Sequence, residues 1–382
     1  MARELAKNHR VIYVNHPYSI KDVVFGLLKG DPWVLRRCLS SFLRRNNYET
    51  LDSIPENFLA VHPPMTLPIN WLPPGRLYNL LQRWNNHILL RSIRWTLQRE
   101  NVDKYLYINC YNPFFAGWLP KEMGAVASIY HCIDDITQDA YTARHGYELE
   151  NEACRNADIT LVTSTNLTRL KKPVARRLVT YFNAADIRVF EKVRTTVFPR
   201  PAELDQRPQR VIGYIGNLDA LRIDYPLLKQ TALAYPDCTL LLVGPLNSSE
   251  PAVIGLDQLP NVVFTGSRNL DALPPFLQHM DCVLIPFLCN TLTESIYPLK
   301  INEYLAAGKP VVSTEFSEDI RSFAPVIYLS SQHADFIRNI QTALQENNPD
   351  LIQKRVEIAQ SNTWEARIRQ LWEILPVSET SL

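Results

Sequence analysis

The sequence predicts an α/β protein built from two doubly wound domains, and three observations support that fold class. From about residue 210 onward, short runs of consecutive apolar residues alternate with amphipathic stretches, which indicates parallel strands covered by helices on both faces. The first half of the chain repeats this pattern less regularly. A polar stretch at 191–209 lies between the halves and is predicted to be a linker.

Composition limits the classes of protein that need to be considered. The chain has 382 residues, enough for two domains that each bury a core, and it is 46% hydrophobic and 21% charged. These are ordinary proportions for a globular protein. The formal net charge is +1, so no overall electrostatic field would recruit nucleic acid.

The cysteines and the apolar runs give expectations about location. The chain has 7 cysteines, an odd number without any CxxC pair, which predicts neither a disulfide framework nor a zinc site. No apolar run approaches the length of a membrane span, and the start "MARELAKNHR" lacks the apolar core of a signal peptide. We therefore expect a cytoplasmic protein with reduced thiols.

The first domain is predicted to span residues 1–190. Its predicted strands, separated by helical segments, are at 10–15, 57–62, 104–109, 126–131 and 158–163. The chain opens on the helical stretch "ARELAK". A doubly wound domain normally opens on a strand, so the first strand of this domain is interpreted as missing, through a shortened or misassigned start.

The second domain is predicted at residues 210–362. Its predicted strands are at 210–216, 238–244, 261–266, 281–287, 310–314 and 326–330, with helices at 225–235 and 270–280. After it, "TWEARIRQLWEIL" is an amphipathic helix, and residues 363–382 are predicted to pack back across the first domain.

The segment "YPLKINEYLAAGKPVV" at 297–312 carries the chemical signal in this domain. Pro298 suits the first turn of a helix and Gly308 suits its C′ position. The free N–H groups at Pro298–Lys300, the helix dipole and the Lys300 ammonium form a site for a phosphate or diphosphate. Glu303, one turn later, is placed to accept hydrogen bonds from ribose hydroxyls. The alternative is a surface lysine and glutamate paired with solvent.

These residues resemble the donor-binding segment of the retaining glycosyltransferase family four, and the branch that includes the teichuronic acid biosynthesis glycosyltransferases in particular. The resemblance extends over about residues 1–375. Further matching segments occur in the family's order: "YHCIDD" (130–135), "NADITLVTS" (156–164), "NAADIRVF" (183–190) and "IGYIGNLDALRIDYPLL" (212–228). The resemblance implies the GT-B fold, in which two Rossmann-like domains face each other across a cleft.

The resemblance also assigns donor-site positions, some of which depart from the family pattern. Family members commonly carry two glutamates, and Glu303 matches the second, whereas Ser295 stands at the first. Asn217, which follows Gly216, stands where the family has an arginine. Arg222 falls where the family places a phosphate-binding lysine, and its guanidinium can serve the same anion, or it is a surface arginine at the start of a helix. Leu299 is included with its neighbours in the donor segment.

Two residues of the first domain are candidates for catalysis. His131 and Asp134 are predicted just after a strand, and relatives carry an aspartate or histidine there that approaches the sugar or the acceptor hydroxyl. A carboxylate beside a hydroxyl nucleophile is what general-base assistance requires. Asp134 is the first choice and His131 the second. The alternative for either Asp134 or Asp135 is a helix cap.

The stretch "WVLRRCLSSFLRRNN" at 33–47 combines four arginines with large apolar residues. As a helix it would suit an anionic membrane surface near a lipid-linked acceptor. An ordinary helix with a solvated basic face fits the sequence equally well. Peripheral contact with the inner face of the membrane is therefore one of two open interpretations.

The predicted function is metal-independent transfer of a hexosyl-type sugar from a nucleotide-diphospho-sugar to a cell-surface polysaccharide or glycolipid. No cofactor is expected, because the helix dipole, Lys300 and Arg222 would meet the diphosphate charge. No nucleic-acid partner is expected. The absence of G-x-G-x-x-G and G-x-x-x-x-G-K-[ST] disfavours dinucleotide oxidoreductases and P-loop kinases. A nucleotide-sugar epimerase and a catalytically degenerate partner protein remain as alternatives.

Overall fold

The computed structural model describes residues 1–32, 34, 46–51 and 54–376. The chain divides into two units: one comprises 1–163, 167–181 and 368–382, and the other comprises 164–166 and 182–367. Residues 182–190, predicted in the first domain, and the predicted linker at 191–209 therefore lie within the second unit. The stretch at 33–47, for which a basic helix was considered, falls mostly outside the described residues.

The described residues of the first unit form two sheets. The strands are β1 Val11–Val14, β2 Asn47–Glu49, β3 Phe58–His62, β4 Tyr105–Cys110, β5 Ala125–Cys132, β6 Ile159–Val162 and β7 Leu178–Thr180. Strands β4 to β7 pair in sequence order and all run parallel, whereas β1 pairs parallel with β3 and β2 pairs antiparallel at the other side of β3. In the parallel sheet the carboxyl ends of all strands therefore meet at one edge.

The second unit is a six-stranded, entirely parallel sheet. Its strands are β8 Val211–Ile215, β9 Thr239–Val243, β10 Val262–Phe264, β11 Cys282–Ile285, β12 Val311–Thr314 and β13 Tyr328–Ser330. The order across the sheet is β10-β9-β8-β11-β12-β13. Numbered within the unit, this is 3-2-1-4-5-6, the doubly wound order whose switch point lies between the first and fourth strands. A ligand crevice is expected beyond the carboxyl ends of β8 and β11.

Helices cover the sheet of the second unit because most residues of its strands are apolar and buried. All residues of β8, β9, β11 and β12 are buried. The helices are α1 Ala2–Leu5, α2 Ile20–Lys29, α3 Arg76–Arg99, α4 Ala140–Asn156, α5 Thr165–Lys171, α6 Arg188–Thr195, α7 Tyr225–Ala234, α8 Glu250–Val253, α9 Leu273–Gln278, α10 Thr291–Glu294, α11 Leu299–Ala306, α12 Glu318–Arg321, α13 His333–Leu344, α14 Pro349–Ser361 and α15 Trp364–Ile374. In the described part of the chain, none of them is long and apolar enough to cross a membrane.

The carboxyl-terminal helix α15 leaves the second unit and ends in the first. Leu371 and Leu375 pack there against Ile129, Ile159 and Leu161 of β5 and β6. Fully burying a leucine side chain stabilises a fold by roughly 1.5–3 kcal/mol. The amphipathic pattern of the sequence thus corresponds to a helix whose apolar side chains complete the core of the first unit.

Two segments differ from their predicted secondary structure. The predicted helix at 270–280 is a 3₁₀ turn at Leu270–Ala272 followed by the short helix α9. Its two prolines, Pro274 and Pro275, lack the N–H groups that would extend a regular helix backward. Helix α6 overlaps the start of the predicted linker, and its buried Phe190 and Val193 belong to the core of the second unit.

Candidate functional site

Three adjacent strands of the second unit are each followed closely by a glycine. Gly216 and Gly244 directly follow β8 and β9, and Gly266 comes two residues after β10. Because the strands are parallel neighbours, the three glycines line one edge of the sheet. A ligand at this edge would meet backbone rather than side chains.

The close approach of two of these backbones requires glycine. The amide of Gly216 donates to the carbonyl of Val243 at 2.8 Å. A Cβ at Gly244 would overlap the carbonyl oxygen of Gly216. Any larger residue at Gly244 would therefore push the two strand ends apart.

Helix α11, within the predicted donor segment, has the predicted ends. Pro298 is the N-cap residue, and the helix is closed by Gly308 at the C′ position with φ +72°. The amide of Gly308 donates to Leu305 O at 2.9 Å and that of Lys309 to Tyr304 O at 3.1 Å, the pair of bonds that defines a Schellman motif. As the first amides of the helix, those of Leu299 and Lys300 have no intrahelical acceptor.

A tyrosine fixes this helix against the end of β8. The hydroxyl of Tyr304 accepts a hydrogen bond from Ile215 N at 2.9 Å and donates to Ile215 O at 3.3 Å. Tyr304 is completely buried, and Ile215 directly precedes Gly216. The amino-terminal turn of α11 is thereby held beside the glycine edge.

Lys300 lies over that edge. A Cβ at Gly216 would overlap Lys300 Cε and would lie 2.6 Å from its Nζ. Burial lowers the pKa of Lys300, Arg222 lowers it further, and Glu303 and Asp219 oppose the shift. Among the described residues no hydrogen bond or ion pair holds the ammonium. A half-buried ammonium group that lacks a hydrogen-bond or ion-pair partner favours the binding of an anionic ligand.

Glu303 lies one helical turn after Lys300. Burial raises the pKa of this carboxyl group, and the neighbouring Lys300 partly offsets the shift. The two side chains influence each other's charge without forming a direct ion pair in the described structure. Both therefore retain capacity to bind a ligand that carries phosphate and hydroxyl groups.

Arg222 and Asn217 lie in the loop after β8. Arg222 Nη1 pairs with Asp219 Oδ2 at 2.9 Å, and its side chain is 38% exposed. Asn217 Oδ1 accepts a hydrogen bond from Asn247 Nδ2 at 2.8 Å, while its backbone oxygen accepts one from the Tyr214 hydroxyl at 3.2 Å. Arg222 thus brings a second cation near Lys300, and Asn217 holds the loop in shape.

Ser295 and Leu299 have different environments. Ser295 is 1% exposed, and its hydroxyl accepts a hydrogen bond from Asn166 Nδ2 at 2.9 Å. Leu299 is 42% exposed at the start of α11. Ser295 therefore takes part in internal packing of the second unit, whereas the backbone of Leu299 borders the lysine.

His131 does not lie where the sequence placed it. It belongs to β5, which continues through Cys132, and its side chain is only 2% exposed. The ring packs edge-on against Tyr181 at 5.9 Å, and Nδ1 lies 3.6 Å from the Cys110 sulfur. Burial lowers the pKa of His131 to about 4, so the imidazole is neutral at pH 7. The prediction that it follows the strand is wrong, because the strand extends past it.

Asp134 lies two residues beyond β5, at the carboxyl edge of the first unit's parallel sheet. Its neighbour Asp135 is the helix cap, since its Oδ1 accepts hydrogen bonds from Thr137 N at 3.0 Å and Thr137 Oγ1 at 2.7 Å. Tyr111 follows β4 at the same edge with φ +56°. Burial raises the pKa of Tyr111, and the negative charge of Asp134 adds to the shift. Asp134 and Tyr111 are therefore electrostatic neighbours.

Sequence reasoning missed four residues that shape these sites. Tyr304 could have been found, because it stands four positions after Lys300 and therefore on the same helix face. Gly244 could also have been found, because a glycine at the end of a predicted strand indicates a close approach of backbone. Asp219 and Tyr111 gave no signal, since an ion pair and a left-handed tyrosine cannot be recognised from local spacing.

Comparison with known proteins agrees with the geometry of the second unit. The sequence model of the family described as "Glycosyl transferases group 1" matches residues 209–346. The chain is 31% identical over 178 residues to TuaH of Bacillus subtilis (strain 168), which is named as a teichuronic acid biosynthesis glycosyltransferase. That match spans 45% of this chain and 45% of TuaH, less than half the length of the relative.

Solved structures resemble nearly the whole chain. Sucrose-phosphate synthase from Thermosynechococcus elongatus aligns with a TM-score of 0.63 at 15% identity, covering 98% of this chain and 90% of that one. Anabaena Alr3699/HepE, solved in complex with UDP and glucose, aligns with a TM-score of 0.53 at 17% identity, covering 82% and 86%. At these identities the likeness concerns the fold. The chain has the GT-B fold of these structures, and its residues 209–346 match the sequence model of the glycosyl transferases group 1 family.

Proposed function

We propose that this protein is a glycosyltransferase that takes a nucleotide-diphospho-sugar as donor and a cell-surface polysaccharide or glycolipid as acceptor. The observation that carries the proposal is the half-buried Lys300 ammonium, which lies over Gly216 at the amino-terminal end of α11. The family match at 209–346 supports the same reading. TuaH, named for teichuronic acid biosynthesis, supports the acceptor class.

In this proposal the second unit binds the departing diphosphate. The amides of Leu299 and Lys300, the positive end of the helix dipole behind Pro298, and the Lys300 ammonium bind its oxygens. Arg222 contributes a second positive charge when it reorients from Asp219. Gly216 leaves room for the Lys300 side chain beside the backbone. Charge is thereby neutralised by protein groups, so transfer proceeds without a divalent cation.

The remaining donor contacts follow from the chemistry of the nucleotide. Glu303, one turn behind Lys300, accepts hydrogen bonds from the ribose hydroxyls. Asn217 and Ser295 border the donor through the loops that they stabilise. UDP is the natural first probe, because HepE was solved with UDP.

The first unit supplies the base in this proposal. Asp134 follows a strand at the carboxyl edge of a parallel sheet, where a carboxylate can accept a proton from an acceptor hydroxyl. His131 takes no direct part, since its buried, neutral ring packs beneath that edge. Its role is to support the end of β5.

The test is a transfer assay on the full chain. UDP- and GDP-sugars are incubated with lipid-linked saccharides, in EDTA and in Mg²⁺, and released nucleoside diphosphate and extended product are measured together. Product in EDTA supports the proposal, and product only with Mg²⁺ refutes metal independence. Isomerisation of a UDP-sugar without acceptor would indicate the epimerase instead. Nucleotide binding without product from any donor would favour the non-catalytic partner protein.

Binding is tested separately by calorimetry with UDP and GDP. Lys300→Ala should weaken binding by about 1.5–3 kcal/mol, the scale of a hydrogen bond to a charged group. Lys354→Ala, at an exposed position of α14, is the matched control and should bind like the parent. Equal affinity in the Lys300 variant and the parent would remove this lysine from the site.

A further inference from the structure

Helix α3 carries an unusual solvent-facing surface in the first unit. Its 24 residues include five arginines and no aspartate or glutamate. Tyr78, Asn85, Leu89, Ile93 and Thr96 are among the residues that face the interior. The opposite side would ordinarily be polar in a helix of this kind.

That outer side is apolar and aromatic near the start of the helix. Leu77, Leu80 and Trp84 are 59%, 65% and 60% exposed, and Trp71 in the preceding loop is 65% exposed. We call these four side chains, together with Arg76 and Arg83, the tryptophan–arginine face. Large apolar side chains gathered on one face indicate an interaction surface, whereas single exposed ones are ordinary.

The tryptophan–arginine face is held in place from behind. Tyr78 stacks on His145 of α4, with ring centroids 3.5 Å apart. Arg144 Nη1 donates to Trp71 O at 2.9 Å, which joins the loop to the same helix. Asn85 Nδ2 donates to Leu67 O at 2.9 Å. The exposed side chains therefore project from an ordered backbone, and a partner would not need to order it on binding.

Charge extends along the same helix. Arg91 and Arg94 are exposed farther toward the carboxyl end, and the guanidinium of Arg91 lies over the Trp95 ring at 4.5 Å. Without any carboxylate on α3, nothing on the helix repels a negatively charged surface. The sequence thus combines apolar anchors near one end with positive charge along its full length.

We propose that the tryptophan–arginine face docks the protein onto an anionic lipid surface. Tryptophan and leucine side chains partition into the headgroup and acyl boundary, where the amphipathic indole is favoured. The arginines then meet lipid phosphates, each contributing favourably at an anionic membrane. A second copy of the chain is a poorer partner, because a twofold interface would place this acid-free surface against itself.

This surface is separate from the sequence-based hypothesis about residues 33–47, and it goes beyond the proposed transfer reaction. Vesicle binding requires neither donor nor acceptor. Its failure would therefore leave the proposed function untouched, and failure of transfer would leave the membrane proposal standing.

The experiment is co-sedimentation of the full chain with vesicles of phosphatidylcholine alone and vesicles of phosphatidylcholine and phosphatidylglycerol in equal amounts. The parent should bind the anionic vesicles, less tightly as salt is added, and bind the neutral ones weakly. The double variant Leu80→Ser/Trp84→Ser should lose at least about tenfold in partitioning. Arg76→Gln/Arg83→Gln should lose roughly fivefold per arginine removed.

Val253→Ser is the matched control, since Val253 is an 80% exposed apolar residue on the second unit. It should bind vesicles like the parent. All variants should unfold at the parent's temperature and bind UDP like the parent, because every altered side chain is exposed. Unchanged partitioning in both double variants overturns the proposal. The proposal is also overturned if no form of the protein binds vesicles, and if the parent forms dimers that the Leu80→Ser/Trp84→Ser variant does not form.

Discussion

The side chain of Lys300 occupies the space that a side chain at Gly216 would need. The two residues are far apart in sequence but are brought together because Tyr304 binds the backbone of Ile215. The glycine therefore has a function beyond ending a strand. It lets an amine from another element lie directly against the sheet edge.

Gly216→Ala should weaken UDP binding by about 1.5–3 kcal/mol, as much as removal of the lysine itself. The added methyl group would displace Lys300 from above the strand end. Calorimetry on single and double variants provides the check. In a Lys300→Ala background, Gly216→Ala should cost little more, because the two changes act through one contact. Fully additive losses would show that the glycine acts independently.

Once the pH is high enough for the diphosphate to be fully ionised, a further rise in pH should lower the affinity for UDP. Burial lowers the pKa of Lys300 in the free protein, so its ammonium is lost at lower pH than that of an ordinary lysine. A bound diphosphate favours the charged form and raises that pKa again, so binding at alkaline pH takes up protons. Calorimetry in buffers of different ionisation enthalpy measures this uptake. It should vanish in Lys300→Ala, and its persistence there would assign the proton to another group.

Glu303 should distinguish ribose from deoxyribose. Glu303→Ala should lose about 1.5–3 kcal/mol of UDP affinity, and Glu303→Gln about 0.5–1.5 kcal/mol, because the amide keeps one acceptor without the charge. The parent should prefer UDP to 2′-deoxy-UDP, and the alanine variant should not. The comparison is made by competition binding. An alanine variant that keeps the full preference would place the carboxylate elsewhere.

Asp134→Asn should lower transfer by about 10²–10⁴-fold and leave UDP affinity nearly unchanged, since a base acts on the chemical step. Product formation and calorimetry are measured on the same preparation. Asp135→Asn is the matched control: asparagine keeps an oxygen that can accept the cap bond from Thr137, so this variant should keep nearly the stability and the transfer of the parent. Full transfer by the Asp134 variant would exclude this residue as the base.

His131 should make the first unit sensitive to acid. Burial lowers its pKa from 6.5 to about 4, so between these values the unfolded chain binds a proton that the folded chain does not. Its contribution to stability is therefore complete above pH 6.5 and declines by about 3 kcal/mol as pH falls toward 4. Denaturant unfolding from pH 4 to 7 should show this slope. His131→Gln should flatten it, whereas His87→Gln on the exposed side of α3 should not.

The strands of the second unit could be predicted because their signal is local. A continuous apolar run such as that of β9 or β11 needs no knowledge of its partners. Strand β2 was missed because "NYE" has neither an apolar run nor an alternation, and it forms only through antiparallel pairing with β3. Strand β7 has just three residues, Leu178–Thr180, after two arginines. Its backbone pairing with β6 is a tertiary effect.

The residues of the candidate site likewise divide into those with a local sequence signal and those without one. Pro298, Lys300 and Glu303 could be predicted because they belong to one helix, whose spacing fixes their relative positions. The contact between Tyr304 and Ile215 joins residues 89 apart in sequence, and no local pattern encodes it. The hydrogen bond between Ser295 and Asn166 likewise joins residues 129 apart in sequence. The residue types indicate which ligand groups the site can bind, but only the tertiary structure shows which residues lie next to one another.

The glycine edge has a consequence for how the protein could be re-engineered. A side chain at Gly244 would require a shift of the main chain at Gly216, and a side chain at Gly216 would displace Lys300. Variation that alters donor preference must therefore arise in the loop after β8, at Asn217 or Arg222, whose side chains are surface-accessible. A saturation library should tolerate few substitutions at Gly216 and Gly244 and many at Asn217 and Arg222. Variants with new donor specificities would therefore be selected at the latter two positions.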